Sequence, residues 1–415
     1  MTAFSRDLQM GFSMNMRLGF GIALTAMLVG CGGSSGGAGT GSTTDACVEL
    51  DSSSFSCADM LNDLVEFGAR PLTDDFKTQS QALHDATDAY CAPLIADGTD
   101  TASNLTAAQT AWVAAADTVQ QLAVMQFGPF VNDDTSFASI YAWPTVSACN
   151  VDLQVVSGAL GSDNRAGMFA MEYLLFSDKG SKSCTTEQST TVAQWFTDND
   201  AAARQVDRCE YAQLVADDLV TKASTMESIW NEYDLSDASS TLQAAAGKVT
   251  DALFYIDKQT KDAKIKAALP QASDESFTAS ALESQFANDS KEAIIANLQA
   301  AKRLLTANDA GTGLDDYLIA AGQQTIATNM IATLDVAIVN AQAIEGSLFD
   351  AVNTATDKAA CVNLAGSGSY DANSSDIDAL CALQYNIKQF TDILKGDFVL
   401  TTSFSVPASA DGDAD

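Results

Sequence analysis

The chain has 415 residues, in which 21 Lys and Arg stand against 54 Asp and Glu, for a formal net charge of −33 at pH 7. Such an acidic surface repels nucleic acid and anionic lipid and favours cations, so nucleic acid is excluded as a partner. The charge does not by itself predict a metal site, because an acidic surface also keeps a protein soluble in a salty medium.

The first 30 residues are predicted to be a lipoprotein signal peptide. Arg6 and Arg17 form a weakly basic start, and the apolar run over residues 18–30 is too short to span a bilayer as a folded helix. The run leads into Cys31 in a sequence typical of a bacterial lipobox, which predicts cleavage before Cys31 and lipidation of that residue. An ordinary signal peptide followed by a chance cysteine is the alternative.

Residues 31–46 are predicted to be a flexible tether, because most of them are Gly, Ser and Thr. Gly32 follows the lipidated position, and the absence of Asp there favours retention at the outer membrane rather than the inner membrane. We therefore expect a cell-envelope protein that is held at the outer membrane by its lipid and is either periplasmic or surface-exposed.

Three long segments carry the apolar period of an amphipathic helix. In chain order they are residues 106–127, which end at a Gly-Pro stop signal, residues 211–233 and residues 326–349. Alternating runs typical of strands are nearly absent, and the chain contains only six Pro. The predicted fold class is all-α, with two helical-bundle halves packed around a central cleft and cross-linked by disulfides.

The chain after the tether is too long for one hydrophobic core of the usual size, so two halves are expected. A polar stretch over residues 258–280, which contains Pro270, is predicted to join them. This division gives an N-terminal half over residues 47–265, a C-terminal half over residues 266–406 and an acidic tail over residues 407–415. A cleft between two bundles is a natural ligand site.

Cysteine usage supports export. The chain contains nine Cys, and eight remain once Cys31 is assigned to lipidation: Cys47, Cys57, Cys91, Cys149, Cys184, Cys209, Cys361 and Cys381. An even number in an oxidising compartment predicts up to four disulfides, whose connectivity the sequence leaves open. Proximity along the chain favours three pairs and leaves a fourth by elimination. The pairs are Cys47–Cys57, Cys184–Cys209, Cys361–Cys381 and, by elimination, Cys91–Cys149.

Residues 167–176 place one carboxylate, that of Glu172, inside an otherwise apolar helical run. Burying a carboxylate among Met, Leu and Phe costs free energy unless partner groups satisfy it. Glu172 is either the carboxylate of a ligand cleft or a structural group that accepts hydrogen bonds from Arg165 or from backbone N–H groups. Arg165 precedes Glu172 by about two helical turns, so the two side chains could share one helix face if the helix begins early enough.

The same segment resembles the signature of the imelysin-like proteins, a Gly-x-His-x-x-Glu motif in the cleft of an all-helical fold. Gly167 and Glu172 match the two ends of the motif, whereas Phe169 occupies the histidine position. Further segments resemble the family's pattern in the same order along the chain. They are residues 109–112, 126–129, 143–144, 151–155, 164–167, 290–298, Phe404 and residues 411–413.

The resemblance implies a bacterial surface or periplasmic protein from a family in which many members are linked to iron uptake. We expect a non-catalytic protein that binds a metal, a metal complex or an uptake partner in the cleft near Glu172, which is the tentative metal ligand. The expected cleft residues are Glu172, Arg165, Trp143, Tyr173, Phe169 and Gly167. The expected ligand is iron or another divalent or trivalent cation. The expected partners are the membrane, through the lipid anchor, and an iron-uptake protein of the envelope.

Two alternatives stay open. The founding member of the family is reported as a metallopeptidase, but a zinc peptidase needs several strong ligands and a base, and Phe169 cannot ligate a metal. A site built from oxygen ligands alone would still accept a hard cation. The second alternative is a protein-interaction module that works without metal.

Other candidate residues have structural interpretations. The single histidine, His84, is expected to be a surface or partly buried helix residue, and one histidine cannot supply a Ser-His-Asp or Cys-His arrangement. Adjacent Asp residues are expected to mark turns, helix starts or solvated faces rather than metal ligands. These pairs are Asp74-Asp75, Asp133-Asp134, Asp217-Asp218 and Asp315-Asp316.

Overall fold

The computed structural model describes residues 47, 50, 54–130, 134–178, 182–233, 241–356, 358–367, 379–402, 404 and 406–407. The predicted signal peptide, the lipidation site Cys31, the tether and all of the acidic tail except Pro407 lie outside the described residues. Within the described part of the chain, no helix is both long enough and apolar enough to cross a membrane.

Every regular element in these ranges is helical, which confirms the predicted all-α class. The α-helices are α1 Cys57–Asp63, α2 Arg70–Asp97, α3 Ala102–Val124, α4 Asp134–Tyr141, α5 Ala148–Ser157, α6 Met168–Phe176, α7 Thr190–Asp198, α8 Ala201–Glu232, α9 Leu242–Leu253, α10 Ser290–Thr306, α11 Leu314–Ala320, α12 Gln324–Ala343, α13 Leu348–Thr354, α14 Lys358–Ser367, α15 Ala379–Ile393 and α16 Val399–Thr402. Stretches of π-helix lie between them at π1 Leu64–Ala69, π2 Ile256–Ile265 and π3 Leu394–Phe398.

Helices α2 and α8 run antiparallel and pack along their length. Arg70, at the start of α2, donates from Nε to the carbonyl of Trp230 near the end of α8, at 3.0 Å. Cys91, near the end of α2, is disulfide-bonded to Cys209, near the start of α8. Helix α3 packs against both α2 and α10, and α10 packs against α12, which in turn packs against α15. Helix α3 therefore connects the earlier helices to the later ones.

All three segments predicted from periodicity are helical, but their ends are shifted and one of them is divided. Helix α3 stops at Val124 and α8 begins at Ala201, where the carboxylate of Asp200 caps it by accepting from Ala203 N at 2.9 Å. The segment 326–349 is not one helix. Gly346 has a φ of +68°, and Ser347 then caps a new helix by accepting from Asp350 N at 3.1 Å, so α12 and α13 are separate.

The stretch over residues 258–280, predicted to be a polar join, is helical through Ala268, as π2 and then one turn of 3-10 helix. Lys261 and Lys264 are only 1 % exposed, and Lys261 Nζ lies 2.9 Å from Asp257 Oδ1. Composition did not reveal this helix, because buried ion pairs have the same polar composition as a solvated loop. The described residues belong to one compact unit, and the proposed division at residue 265 stays a prediction.

Four disulfides are present among the described residues, two of them as predicted: Cys47–Cys57 and Cys361–Cys381. The predicted Cys184–Cys209 and Cys91–Cys149 were wrong. The pairs are Cys91–Cys209, with a sequence separation of 118, and Cys149–Cys184. Proximity along the chain failed because the antiparallel packing of α2 and α8 brings distant residues together.

Gly167 fixes the start of α6. Its backbone has φ +82° and ψ −169°, a region that is essentially restricted to glycine. A Cβ added there would lie 2.6 Å from the carbonyl oxygen of Ile140 and 2.8 Å from that of Ser139. The motif glycine is therefore required for the close approach of α6 to the end of α4.

We expect Gly167→Ala to lower the free energy of unfolding by about 2–5 kcal/mol, because it adds both backbone strain and a clash with backbone atoms. Gly98→Ala is the matched control, since Gly98 also has a positive φ, +78°, but has open space around it. Gly98→Ala should lower the free energy of unfolding by only about 1–2 kcal/mol. Urea unfolding with the disulfides intact measures both, and equal losses would contradict the assigned role of Gly167.

Candidate functional site

The motif helix α6 is apolar on almost every face because protein surrounds it. Side chains of α3 hold both of its ends. Trp112 Nε1 donates to the carbonyl of Met168 at 2.8 Å, and Gln109 Nε2 donates to the carbonyl of Leu175 at 2.9 Å. Helix α6 is therefore fixed in position by polar bonds as well as by apolar packing.

Glu172 is 2 % exposed, and one of its oxygens holds a distant loop. Oε1 accepts from Ser284 Oγ at 3.0 Å, from Phe286 N at 2.9 Å and from Ala287 N at 2.9 Å. These donors satisfy a carboxylate that would otherwise be costly to bury. The interpretation of Glu172 as an acceptor of backbone N–H groups is confirmed.

The alternative donor, Arg165, bonds elsewhere. Its Nη1 donates to Gln154 Oε1 at 3.1 Å, and its carbonyl accepts from the hydroxyl of Tyr211 at 2.7 Å. Helix α6 begins only after Arg165, and the extended residue Ala166 lies between them. The spacing from Arg165 to Glu172 is therefore not two helical turns, and the helix begins too late for the two side chains to share one face.

A cavity of about 430 Å³ lies beside Glu172. Four of the predicted cleft residues line it together: Trp143, Phe169, Glu172 and Tyr173. Arg165 and Gly167 support the surrounding structure instead. Loop residues that sequence analysis did not single out, among them Glu283 and Phe286, form the facing wall. The rings of Tyr173 and Phe286 meet edge to face, with their centroids 5.2 Å apart.

Carboxyl groups concentrate around this cavity. Burial raises the pKa of Glu172 to about 7, although the bonds from Ala287, Phe286 and Ser284 act in the opposite direction. Burial also raises the pKa of Asp289 to about 8, and neighbouring carboxylates, including that of Asp117, add to the rise. Several carboxyl groups close together in a poorly solvated region favour the approach of a cation.

Glu283, in the facing wall of the cavity, also belongs to a buried polar network. Lys264 Nζ lies 3.1 Å from Glu283 Oε2, and both side chains are 1 % exposed. Gln120 Nε2 donates to Glu283 Oε1 at 2.9 Å, and the hydroxyl of Tyr141 donates to the same oxygen. Sequence analysis missed Lys264 and Glu283 because neither lies in a local motif, and Lys264 falls in the stretch predicted to be a linker.

Tyr173 is held by a second buried network. Its hydroxyl donates to Asp152 Oδ2 at 2.7 Å. Arg208 forms a two-pronged bond with the same carboxylate, from Nε at 2.9 Å and from Nη2 at 2.7 Å. Because its hydroxyl is committed to Asp152, Tyr173 offers the cavity an oriented ring rather than a free phenol.

The side chains at the cavity do not fit a bare metal ion. Phe169 has no ligand atom, and no group of three or more His, Cys, Asp or Glu in the described ranges has the arrangement of a metal site. His84 lies elsewhere, with Nδ1 3.0 Å from Asp85 Oδ1 and Nε2 3.0 Å from Asp217 Oδ1.

We expect Glu172→Gln to flatten the pH dependence of stability. The unfolded chain loses this proton near its ordinary pKa of 4.5, whereas the folded protein keeps it to about 7. The free energy of unfolding therefore falls as the pH rises through this window, and the substitution removes that part of the fall. The contribution of Asp289 persists in both proteins.

Urea unfolding at several values between pH 4.5 and 8 measures this difference. Glu232→Gln, at an exposed position at the end of α8, is the matched control and should follow the unmodified protein. Parallel curves for Glu172→Gln and the unmodified protein would contradict the raised pKa.

Comparisons with known proteins agree with this architecture. The imelysin family model matches residues 69–372, well over half of the chain. An imelysin-like protein from Psychrobacter arcticum 273-4 has a similar structure, with a TM-score of 0.63 and 16 % identity over 86 % of this chain and 98 % of that one. So does a protein from Parabacteroides distasonis ATCC 8503 named as an iron-regulated protein A precursor, with a TM-score of 0.58 and 15 % identity over 84 % and 95 % of the two chains. No curated protein matches. The chain belongs to the imelysin family.

Proposed function

We propose that this protein is a non-catalytic envelope lipoprotein of iron acquisition, and that the cavity beside Glu172 binds a cationic iron complex. The observation that carries the proposal is a buried carboxylate with a raised pKa lining a cavity among other carboxyl groups. The Parabacteroides distasonis protein is named as an iron-regulated protein, and that name supports the choice of iron as the metal.

The size and chemistry of the cavity favour a complex over a bare ion. Its volume of about 430 Å³ lies in the range of small-molecule sites and far exceeds that of one ion. Trp143, Phe169 and Phe286 supply aromatic surface, which attracts cations and packs against organic ligands. Glu172 supplies negative charge once it loses its proton, whereas Glu283 is already paired with Lys264. The phenylalanine at the histidine position thus becomes part of the wall.

Catalysis is not part of this proposal. A metallopeptidase needs ligands that hold a metal and a base that activates water, and Phe169 supplies neither. Glu172 has one oxygen engaged by three donors, as suits a carboxylate that fastens a loop rather than one that relays protons. The peptidase alternative would require metal-dependent cleavage that disappears in Glu172→Gln.

Export and anchoring form part of the same proposal. The disulfides seen in the described residues are of the kind that forms in oxidising compartments such as the periplasm. The lipobox-like sequence at Cys31 supports attachment to the outer membrane through lipid. An iron-uptake protein of the envelope is the proposed partner.

Calorimetry at pH 7.5 and physiological salt tests the ligand. The probes are hexaamminecobalt(III), an exchange-inert trivalent complex, and Fe²⁺, Zn²⁺ and Ca²⁺ as bare ions. We expect one molecule of the complex to bind per chain, with at least tenfold loss of affinity in Glu172→Gln, equivalent to about 1.4 kcal/mol. Glu232→Gln, at an exposed site, should bind normally.

Binding of the complex should strengthen between pH 6 and 8, as Glu172 loses its proton. If no probe binds to the folded protein, the cation site is contradicted, and the protein-interaction module without metal is the alternative that remains. Binding that Glu172→Gln does not change would place the cation elsewhere on the acidic surface.

A further inference from the structure

A second recess lies away from Glu172, between α12 and α15. It has a volume of about 350 Å³. Its walls combine neutral polar side chains with apolar ones, and the lining includes Asn329, Thr333 and Val336 from α12 and Asn386, Gln389 and Ile393 from α15. The spacing within each set is that of one helix face. We call this recess the α12–α15 groove.

Asn386 is the unusual member of the α12–α15 groove. Asn386 is only 6 % exposed, yet the buried Nδ2 of its side chain has no hydrogen-bond partner. Asn297 shows the ordinary situation, because it is fully buried and its Nδ2 donates to the carbonyl of Gln120 at 2.7 Å. A buried donor without an acceptor destabilises the fold, so its presence in a recess points to a ligand that supplies the acceptor.

We propose that the α12–α15 groove binds a neutral peptide segment of a partner protein, whose main-chain carbonyl accepts from Asn386 Nδ2. A peptide main chain carries one donor and one acceptor per residue, which matches the side-chain amides of Asn329, Asn386 and Gln389. Val336 and Ile393 provide the apolar surface for small side chains.

The charges around the groove favour a neutral segment. None of its lining residues carries a charge. Lysines pair with the carboxylates beside it: Lys302 Nζ lies 2.7 Å from Asp335, and Lys388 Nζ lies 2.7 Å from Asp392. An acidic peptide would be repelled by a chain with a net charge of −33.

The stability of two leucine variants tests the unpaired donor. Asn386→Leu should melt no lower than the unmodified protein, because it removes a polar group that the free fold leaves unsatisfied. Asn297→Leu, the matched buried control, should melt clearly lower, because it breaks bonds that exist. An equal loss in both variants would show that Asn386 is already paired within the fold and would overturn the proposal.

Peptide binding is tested on the whole protein with an array of blocked neutral hexapeptides built from Ala, Val, Ser, Thr and Asn. We expect a subset to bind and to lose at least tenfold in affinity with Asn386→Leu. Val336→Arg, at a position 50 % exposed on the groove rim, should have the same effect without harming the fold. Asn353→Leu, on the exposed face of α13, should bind normally.

Two results would overturn the peptide proposal. One is that no hexapeptide binds, or that binding is equal in all the variants. The other is that maltohexaose, a neutral oligosaccharide, binds in a manner that depends on Asn386 while the peptides do not, which would make the groove a sugar site.

Discussion

The site depends on one interaction, the acceptance of three hydrogen bonds by a single oxygen of Glu172. Phe286, Ala287 and Ser284 lie more than 100 positions further along the chain, so this oxygen joins α6 to a remote loop. Removing a carboxylate from water is costly, and charge-assisted bonds offset part of that cost. The pKa near 7 shows that burial still outweighs the three bonds.

Two buried ion pairs fix the two structures that this interaction joins, α6 and the loop. Behind α6, the pair of Arg208 and Asp152 fixes the hydroxyl of Tyr173. Behind the loop, Lys264 lies against Glu283. Breaking a buried pair leaves an uncompensated charge, so neither wall moves easily. The cavity is therefore preorganised, and a ligand entering it would meet side chains that are already in place.

Much of the fold could be predicted from local patterns. Apolar periodicity located α3, α8 and α12, and the isolated carboxylate in an apolar run marked Glu172 as the centre of the candidate site. Such signals are local, because helix formation and the cost of burying a charge depend on nearby residues. The histidine position filled by Phe169 also identified the point where this chain departs from the family motif.

Other features depended on contacts between distant residues, and the sequence did not reveal them. Two disulfides were paired wrongly because the antiparallel packing of α2 and α8 joins Cys91 to Cys209. Arg165 was one candidate partner of Glu172, but α6 begins only after Gly167. Lys264 looked like part of a linker although it is buried against Glu283. In each case the partner is chosen by tertiary packing rather than by spacing along the chain.

Hydrogen exchange at the amides of Phe286 and Ala287 tests the central interaction most directly. Phe286 is 40 % exposed, so protection of its amide would reflect the bond to Glu172 rather than burial alone. In Glu172→Ala we expect both amides to exchange at least tenfold faster, while amides in the middle of α8 keep their rates. Unchanged exchange at Phe286 and Ala287 would show that Glu172 does not hold the loop. That result would contradict the dependence of the site on the three hydrogen bonds to Glu172.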